Sequence, residues 1–233
     1  MNVCLLCEEE TNRSLSWRQF FLLDAPPVIC AACRQPFERI TGEGCRICSR
    51  TDSEFITNGV CFDCRRWEED PVYHGVLAAN RSLYLYNEAM KAFIARFKYR
   101  GDYVLARVFA EELKAAAKKI DYDVVIAVPL SEERLYERGF NQAEALAREA
   151  GLHLIDVLQR VHSEKQAKKS RAERLQAPQV FRLKEKSAVS NKKVLVIDDI
   201  YTTGSTLRQA AHLLKQMGAA QVQALTLARG QGS

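Results

Sequence analysis

The chain has 233 residues, 47% of them hydrophobic, and a formal net charge of +5, which suits one full domain plus a small module. No apolar run approaches the roughly 18–20 residues that a bilayer span needs, and Met1-Asn2-Val3-Cys4 does not open a basic segment followed by an apolar one. Neither a membrane span nor a secretory signal is expected, and a cytoplasmic location is. The charge is uneven: residues 1–70 hold 8 Lys/Arg against 12 Asp/Glu, whereas residues 71–233 hold 26 against 17. Any polyanion would meet the second part, although a solvated basic surface explains the charge alone.

All eight cysteines fall early, as four Cys-x-x-Cys pairs: Cys4/Cys7, Cys30/Cys33, Cys45/Cys48 and Cys61/Cys64. Two thiolates two residues apart sit on a tight knuckle and chelate one ion, and two knuckles complete a closed, structural Cys4 zinc site. Disulfides compete for these residues but are disfavoured in the cytosol, and the spacings differ from the usual iron–sulfur patterns. Pairing the first knuckle with the second and the third with the fourth costs less loop closure than cross-bracing. Two sequential sites are expected, with one zinc and four spare thiols as the alternative. A closed site has no catalytic position, so the module would serve as a docking surface or a nucleic-acid contact. Trp17, Trp67 and the run Phe20-Phe21-Leu22-Leu23 would pack it.

The polar stretch 65–75, with Pro71 and Gly75, marks a boundary, giving a zinc-binding module over 1–70 and a larger domain over 71–233. A short strand is expected at Ser82–Tyr86. Asn87 can cap a helix carrying Met90, Phe93, Ile94 and Phe97, and Asp102 would start another with Leu105, Val108 and Leu113. Asp123–Pro129 reads as a strand buried on both faces. The loop through Pro129, Leu130, Ser131, Arg134, Arg138, Asn141 and Gln142 should lead into a helix ending near Gly151. Further strands are expected at Leu152–Leu158, Val180–Leu183 and Val194–Asp198. A helix bearing Leu207, Ala210, Ala211, Leu214 and Met217 ends at Gly218, and Val222–Ala228 closes the sheet. Strands alternating with helices imply a parallel sheet flanked by helices, with ligands outside the strands' carboxyl ends.

The most informative stretch is Val194–Leu207. A buried strand ends in Asp198 and Asp199, and Thr202-Thr203-Gly204-Ser205-Thr206 then opens a helix. Paired carboxylates accept hydrogen bonds from vicinal ribose hydroxyls. The hydroxyl-rich turn can wrap a phosphate at the positive end of a helix. Together they describe a socket for a ribose carrying a 5′-phosphate, against the plainer reading of a strand–turn–helix unit whose acids cap the helix.

That stretch resembles the phosphoribosyl pyrophosphate (PRPP) motif of type I phosphoribosyltransferases. The whole chain, from Cys4 to Arg229, resembles the ComF family of DNA-uptake competence proteins. The resemblance rests on the Cys pairs, Phe97-Lys98-Tyr99-Arg100-Gly101, Val128-Pro129-Leu130 with Arg134 and Arg138-Gly139-Phe140-Asn141-Gln142, Gln166 with Arg171 and Arg174, and the signature with Ala228-Arg229. It departs from the family's pattern at Lys169 and Ala177. It implies a type I phosphoribosyltransferase-like fold behind the zinc module. Pro129, Leu130 and Ser131 would form a pyrophosphate loop through their backbone N–H groups. Arg134 and Arg138 would meet the pyrophosphate with guanidinium forks, or pair with Glu132, Glu133 or Glu137 instead. Gln166, Lys168, Lys169, Arg171 and Arg174, in a stretch with six Lys/Arg and two acids over 160–174, would form a flexible loop that closes over the site or contacts single-stranded DNA.

The implied function is a competence factor that binds PRPP with Mg2+, or a related 5-phosphoribosyl group, and assists uptake of single-stranded DNA. A helicase-type partner would recruit it to the inner face of the membrane. The alternatives are an active phosphoribosyltransferase, in which Asp198 and Asp199 orient the ribose while an unknown nucleobase or nucleic-acid acceptor displaces pyrophosphate from C1, and a PRPP-sensing regulator or scaffold without chemistry. The four histidines form no catalytic constellation.

Overall fold

The computed structural model describes residues 3–10, 28–99, 102–161, 180–184 and 187–230. Their helices are α1 (Ala31–Arg34), α2 (Phe62–Glu69), α3 (Glu88–Tyr99), α4 (Ala110–Ala117), α5 (Glu132–Arg138), α6 (Gln142–Glu149) and α7 (Ser205–Gln216). The strands are β1 (Ile56–Thr57), β2 (Val60–Cys61), β3 (Ala79–Leu85), β4 (Val124–Ala127), β5 (Leu158–Arg160), β6 (Phe181–Leu183), β7 (Lys193–Tyr201) and β8 (Gln221–Arg229).

The framework is a parallel sheet in the order β3-β8-β7-β4. One of its two inner strands is β7, whose alternate side chains are buried in opposite directions. Leu195 and Ile197 join a core with α3, α4 and α6, while Val194 and Val196 join a second core with α7. A strand sandwiched in this way needs apolar residues at every position, which is why Val194–Ile197 reads as an unbroken apolar run. The module that precedes the sheet in sequence straddles it in space. Cys4, Ile29 and Phe37 belong to the first core, and Cys45, Cys48, Cys61 and Cys64 belong to the second.

Several elements differ from expectation. β8 does not close the sheet: β3, longer than the expected Ser82–Tyr86, pairs along its far side and becomes the edge. Leu152–Leu158 yields only a single parallel bridge, Leu154 to Val125. The chain then leaves the sheet as β5, which pairs antiparallel with β6 as a separate ribbon. Asp102 caps no helix. Its carboxylate instead holds Arg96 at 2.8–2.9 Å, and a 3-10 turn over Tyr103–Phe109 leads into α4. The stretch after Pro129 is mostly helical. Ser131 caps α5 by accepting from the Arg134 N–H at 3.3 Å, and Gly139, at φ +77, ends it in the left-handed conformation a side chain resists. Asn87 caps α3 as expected, accepting from the Met90 N–H at 3.0 Å.

Candidate functional site

β4 and β7 are neighbours in parallel register, so their carboxyl ends open side by side. A cleft of about 270 Å³ lies there, lined by Lys98, Pro129, Leu130, Arg134, Arg138, Asn141, Gln142, Arg160, Asp198, Asp199, Thr202 and Thr206, among others. The structure thus gathers both acids, both α5 arginines and two threonines of the hydroxyl-rich turn. Pro129 has no N–H, so only Leu130 and Ser131 can offer amides from the first loop. Ser131 spends its hydroxyl on capping α5.

The turn is divided in its roles. Thr202 and Thr206 line the cleft. The Thr203 carbonyl accepts from the Trp67 indole N–H at 2.9 Å. Gly204 is buried at φ +81 and sets the start of α7. The Ser205 hydroxyl accepts from the Gln209 side-chain amide at 3.2 Å. Asn141 ties the cleft walls together: it caps α6 through the Ala143 N–H at 3.0 Å and donates to the Val128 carbonyl at 3.0 Å.

Two residues of the cleft carried no individual role in the sequence reading. Lys98, at the end of α3, forms an ion pair with Asp199 in which both side chains are largely buried. Arg160, on β5, brings a third guanidinium beside those of Arg134 and Arg138. The electrostatics are strained in opposite senses. Burial, followed by the neighbouring Asp199 charge, pushes the Asp198 carboxyl well above the usual carboxylate range, although the Asp199 N–H at 2.9 Å and Lys98 oppose this. Burial and then the Arg134 charge lower the Arg160 pKa, with Arg138 adding to the effect and Asp198 opposing it. Three guanidiniums lining one cleft make a wall whose natural partner is a multiply charged anion. The carboxylates on the floor can accept from a diol or hold a hard cation.

The eight cysteines form two groups, Cys4/Cys7/Cys30/Cys33 and Cys45/Cys48/Cys61/Cys64, with the Sγ atoms of each within 4.8 Å of one another. The pairing is sequential, as the loop-closure argument required. Cys7 and Cys30 sulfurs are 3.8 Å apart and those of Cys48 and Cys61 are 3.6 Å apart. A tetrahedron with Zn–S bonds of about 2.3 Å places its sulfurs about 3.8 Å apart, whereas a disulfide requires about 2.05 Å. Backbone amides also point at the sulfurs, Cys30 N–H to Cys4 at 3.3 Å and Cys61 N–H to Cys45 at 3.3 Å. Such donors stabilise thiolates. Both groups fit a structural zinc ion.

The expected loop residues Gln166, Lys168, Lys169, Arg171 and Arg174, together with Trp17 and Phe20–Leu23, lie outside the described residues. Trp67 does more than fill the module. Its ring meets Tyr73 edge-on at 5.1 Å, the Arg208 guanidinium lies 5.2 Å over it, and its N–H reaches the hydroxyl-rich turn at Thr203.

Residues 106–233 match the phosphoribosyl transferase domain family, and with the parallel sheet and the cleft at its carboxyl end this defines the class of protein. Across nearly the whole chain the likeness is narrower. It is 39% identical over 231 residues to Competence protein ComFC of Bacillus subtilis, covering 97% of this chain and 95% of that protein. It is 37% identical over 227 residues to Competence protein ComFC of Streptococcus pneumoniae, covering 97% and 99%. The chain belongs to the ComF family of competence proteins, of the ComFC type. Among solved structures, glutamine PRPP amidotransferase from B. subtilis overlaps 52% of this chain and 26% of its own at 23% identity and a TM-score of 0.36. Among the described residues no helix is long and apolar enough to cross a membrane.

Proposed function

We propose that the cleft binds PRPP, or a related 5-phosphoribosyl group, with Mg2+, and that this binding serves the uptake of single-stranded DNA during transformation. One observation carries the reading: the acid pair, the Thr202 and Thr206 end of the turn, and three arginines converge on a single cleft at the ends of two adjacent parallel strands. Asp198 and Asp199 would hold the ribose hydroxyls and, through oxygen ligands, Mg2+. The Thr202–Thr206 turn would take the 5′-phosphate at the start of α7. Arg134, Arg138 and Arg160 would meet the pyrophosphate, beside the Pro129–Ser131 loop. Lys98 would hold the Asp199 carboxylate in place through their ion pair. Gln166, Lys168, Lys169, Arg171 and Arg174 are proposed to close over the ligand. Residues 1–70 would be a zinc-stabilised module ahead of a phosphoribosyltransferase-like domain spanning 71–233.

The role in DNA uptake comes from the ComFC relatives, which are named competence proteins. A helicase-type partner would bring the protein to the inner face of the membrane. The deciding experiment incubates the protein with PRPP and Mg2+, with and without nucleobases and single-stranded DNA, and measures binding and pyrophosphate release. Binding without release identifies a PRPP-dependent uptake factor or sensor, and deletion that blocks transformation but spares DNA adsorption selects the former. Release that requires a defined acceptor identifies a transferase. Absence of PRPP binding under all conditions removes the proposal.

A further inference from the structure

The second Cys4 group is wired to the turn proposed to take the 5′-phosphate. Arg208, in the first turns of α7, and Arg229, at the end of β8, are both fully buried. Arg208 donates to the Cys64 sulfur at 3.7 Å and to the Tyr201 hydroxyl at 2.5 Å. Arg229 donates to the Cys48 sulfur at 3.7 Å, and its guanidinium lies 4.8 Å over the Tyr201 ring. Tyr201 ends β7 immediately before the turn. Gly204 packs so tightly against the Tyr201 hydroxyl and the Arg208 guanidinium that no Cβ fits between them. Trp67, three residues beyond Cys64, completes the bracket by donating to the Thr203 carbonyl at 2.9 Å.

The charge arithmetic explains why two arginines are buried here. Four thiolates around a divalent ion carry two net negative charges, and buried charge is tolerated only where it is compensated. The two guanidiniums supply that compensation from outside the ligand shell, as the outer partners of metal sites do. We propose that Arg208, Arg229 and Tyr201 are positioning residues that couple the metal at Cys45/Cys48/Cys61/Cys64 to the Thr202–Thr206 turn, so that the turn is held in its ligand-ready shape only while that metal is bound. The identity of the ligand rests on the reading above; the coupling does not.

The test uses the zinc-loaded protein, Arg208→Gln and the isosteric Tyr201→Phe, with metal content, amide hydrogen exchange and PRPP calorimetry measured on each. Outer-partner substitutions typically cost 10–100-fold in metal affinity or activity, a loss that a closed Cys4 site survives at saturating zinc while the bracket around the turn loosens. Both variants should therefore exchange the Thr203–Leu207 amides about tenfold faster or more, while retaining both metals and wild-type protection in β4 and α4. PRPP should bind about tenfold more weakly. In cobalt-loaded protein, Arg208→Gln should shift the thiolate-to-cobalt charge-transfer band, because one sulfur loses a donor. Wild-type exchange in the turn of Tyr201→Phe, or an unshifted cobalt band, overturns the coupling. A wild-type protein that binds no PRPP overturns the functional reading instead, and the exchange data still decide the coupling.

Discussion

Replacing Lys98 by methionine tests how the acid pair is held. The Lys98 side chain is 17% exposed and that of Asp199 is 12% exposed, so the pair belongs with buried rather than surface ion pairs. Breaking a buried pair by removing one partner costs about 3–5 kcal/mol, and the remaining solvent contact places this pair near the lower end, about 3 kcal/mol. The loss should depend on pH. Burial and Asp199 already hold the Asp198 carboxyl above its usual range, and Lys98 opposes them; without Lys98 the value rises further. A carboxyl whose folded pKa is raised takes up its proton more readily folded than unfolded, so stability increases as pH falls through the raised value. The penalty should therefore be full near pH 7 and shrink on acidification. Urea unfolding of wild type, Lys98→Met, Asp199→Asn and the double variant measures this as a cycle. The double variant should recover most of the loss. A penalty below about 0.5 kcal/mol, the scale of a surface pair, or one insensitive to pH would refute the reasoning.

Arg160→Met should weaken pyrophosphate and PRPP binding by about 1.5–3 kcal/mol, the usual loss for a charged hydrogen bond; an unchanged calorimetric affinity would remove Arg160 from the site. Wild-type PRPP affinity should fall on acidification at a pH above the ordinary aspartate range, because protonating Asp198 converts an acceptor into a donor. A profile flat down to about pH 4, near the unperturbed aspartate value, would contradict that. Gly204→Ala should destabilise the fold by at least about 1–2 kcal/mol from its left-handed φ alone, with the clash against Tyr201 adding to it, and thermal unfolding at equal zinc content reads this. Cys45→Ser and Cys7→Ser should each reduce zinc from two ions per chain to one; two ions retained in either would end the assignment of two separate sites.

What could be read from the sequence was local. The acid pair and the hydroxyl-rich turn are contiguous, and the Cys pairs repeat at short spacing. The run Val194–Ile197 is apolar at every position because both its faces are buried. What could not be read joins residues far apart. Lys98 meets Asp199 from another helix, Arg208 reaches Cys64 across 144 residues, and Arg229 reaches Cys48 across 181. An arginine inside the apolar face of α7 was the available signal for Arg208. It identifies a buried charge but not its partner. The helix α5 was read as loop because it is short and mostly charged, and its Leu135 and Tyr136 are exposed rather than forming a buried stripe; Ser131 and Gly139 bound it, and neither stands out without the helix they frame.

The account stands or falls with the ligand in the cleft between β4 and β7. Calorimetric titration of the zinc-loaded protein with PRPP and Mg2+ should give saturable one-to-one binding in wild type and none in the variant carrying Asp198→Asn with Asp199→Asn, whose unfolding remains cooperative. Equal affinity in the two proteins, or no binding heat in wild type at any PRPP concentration, would contradict it.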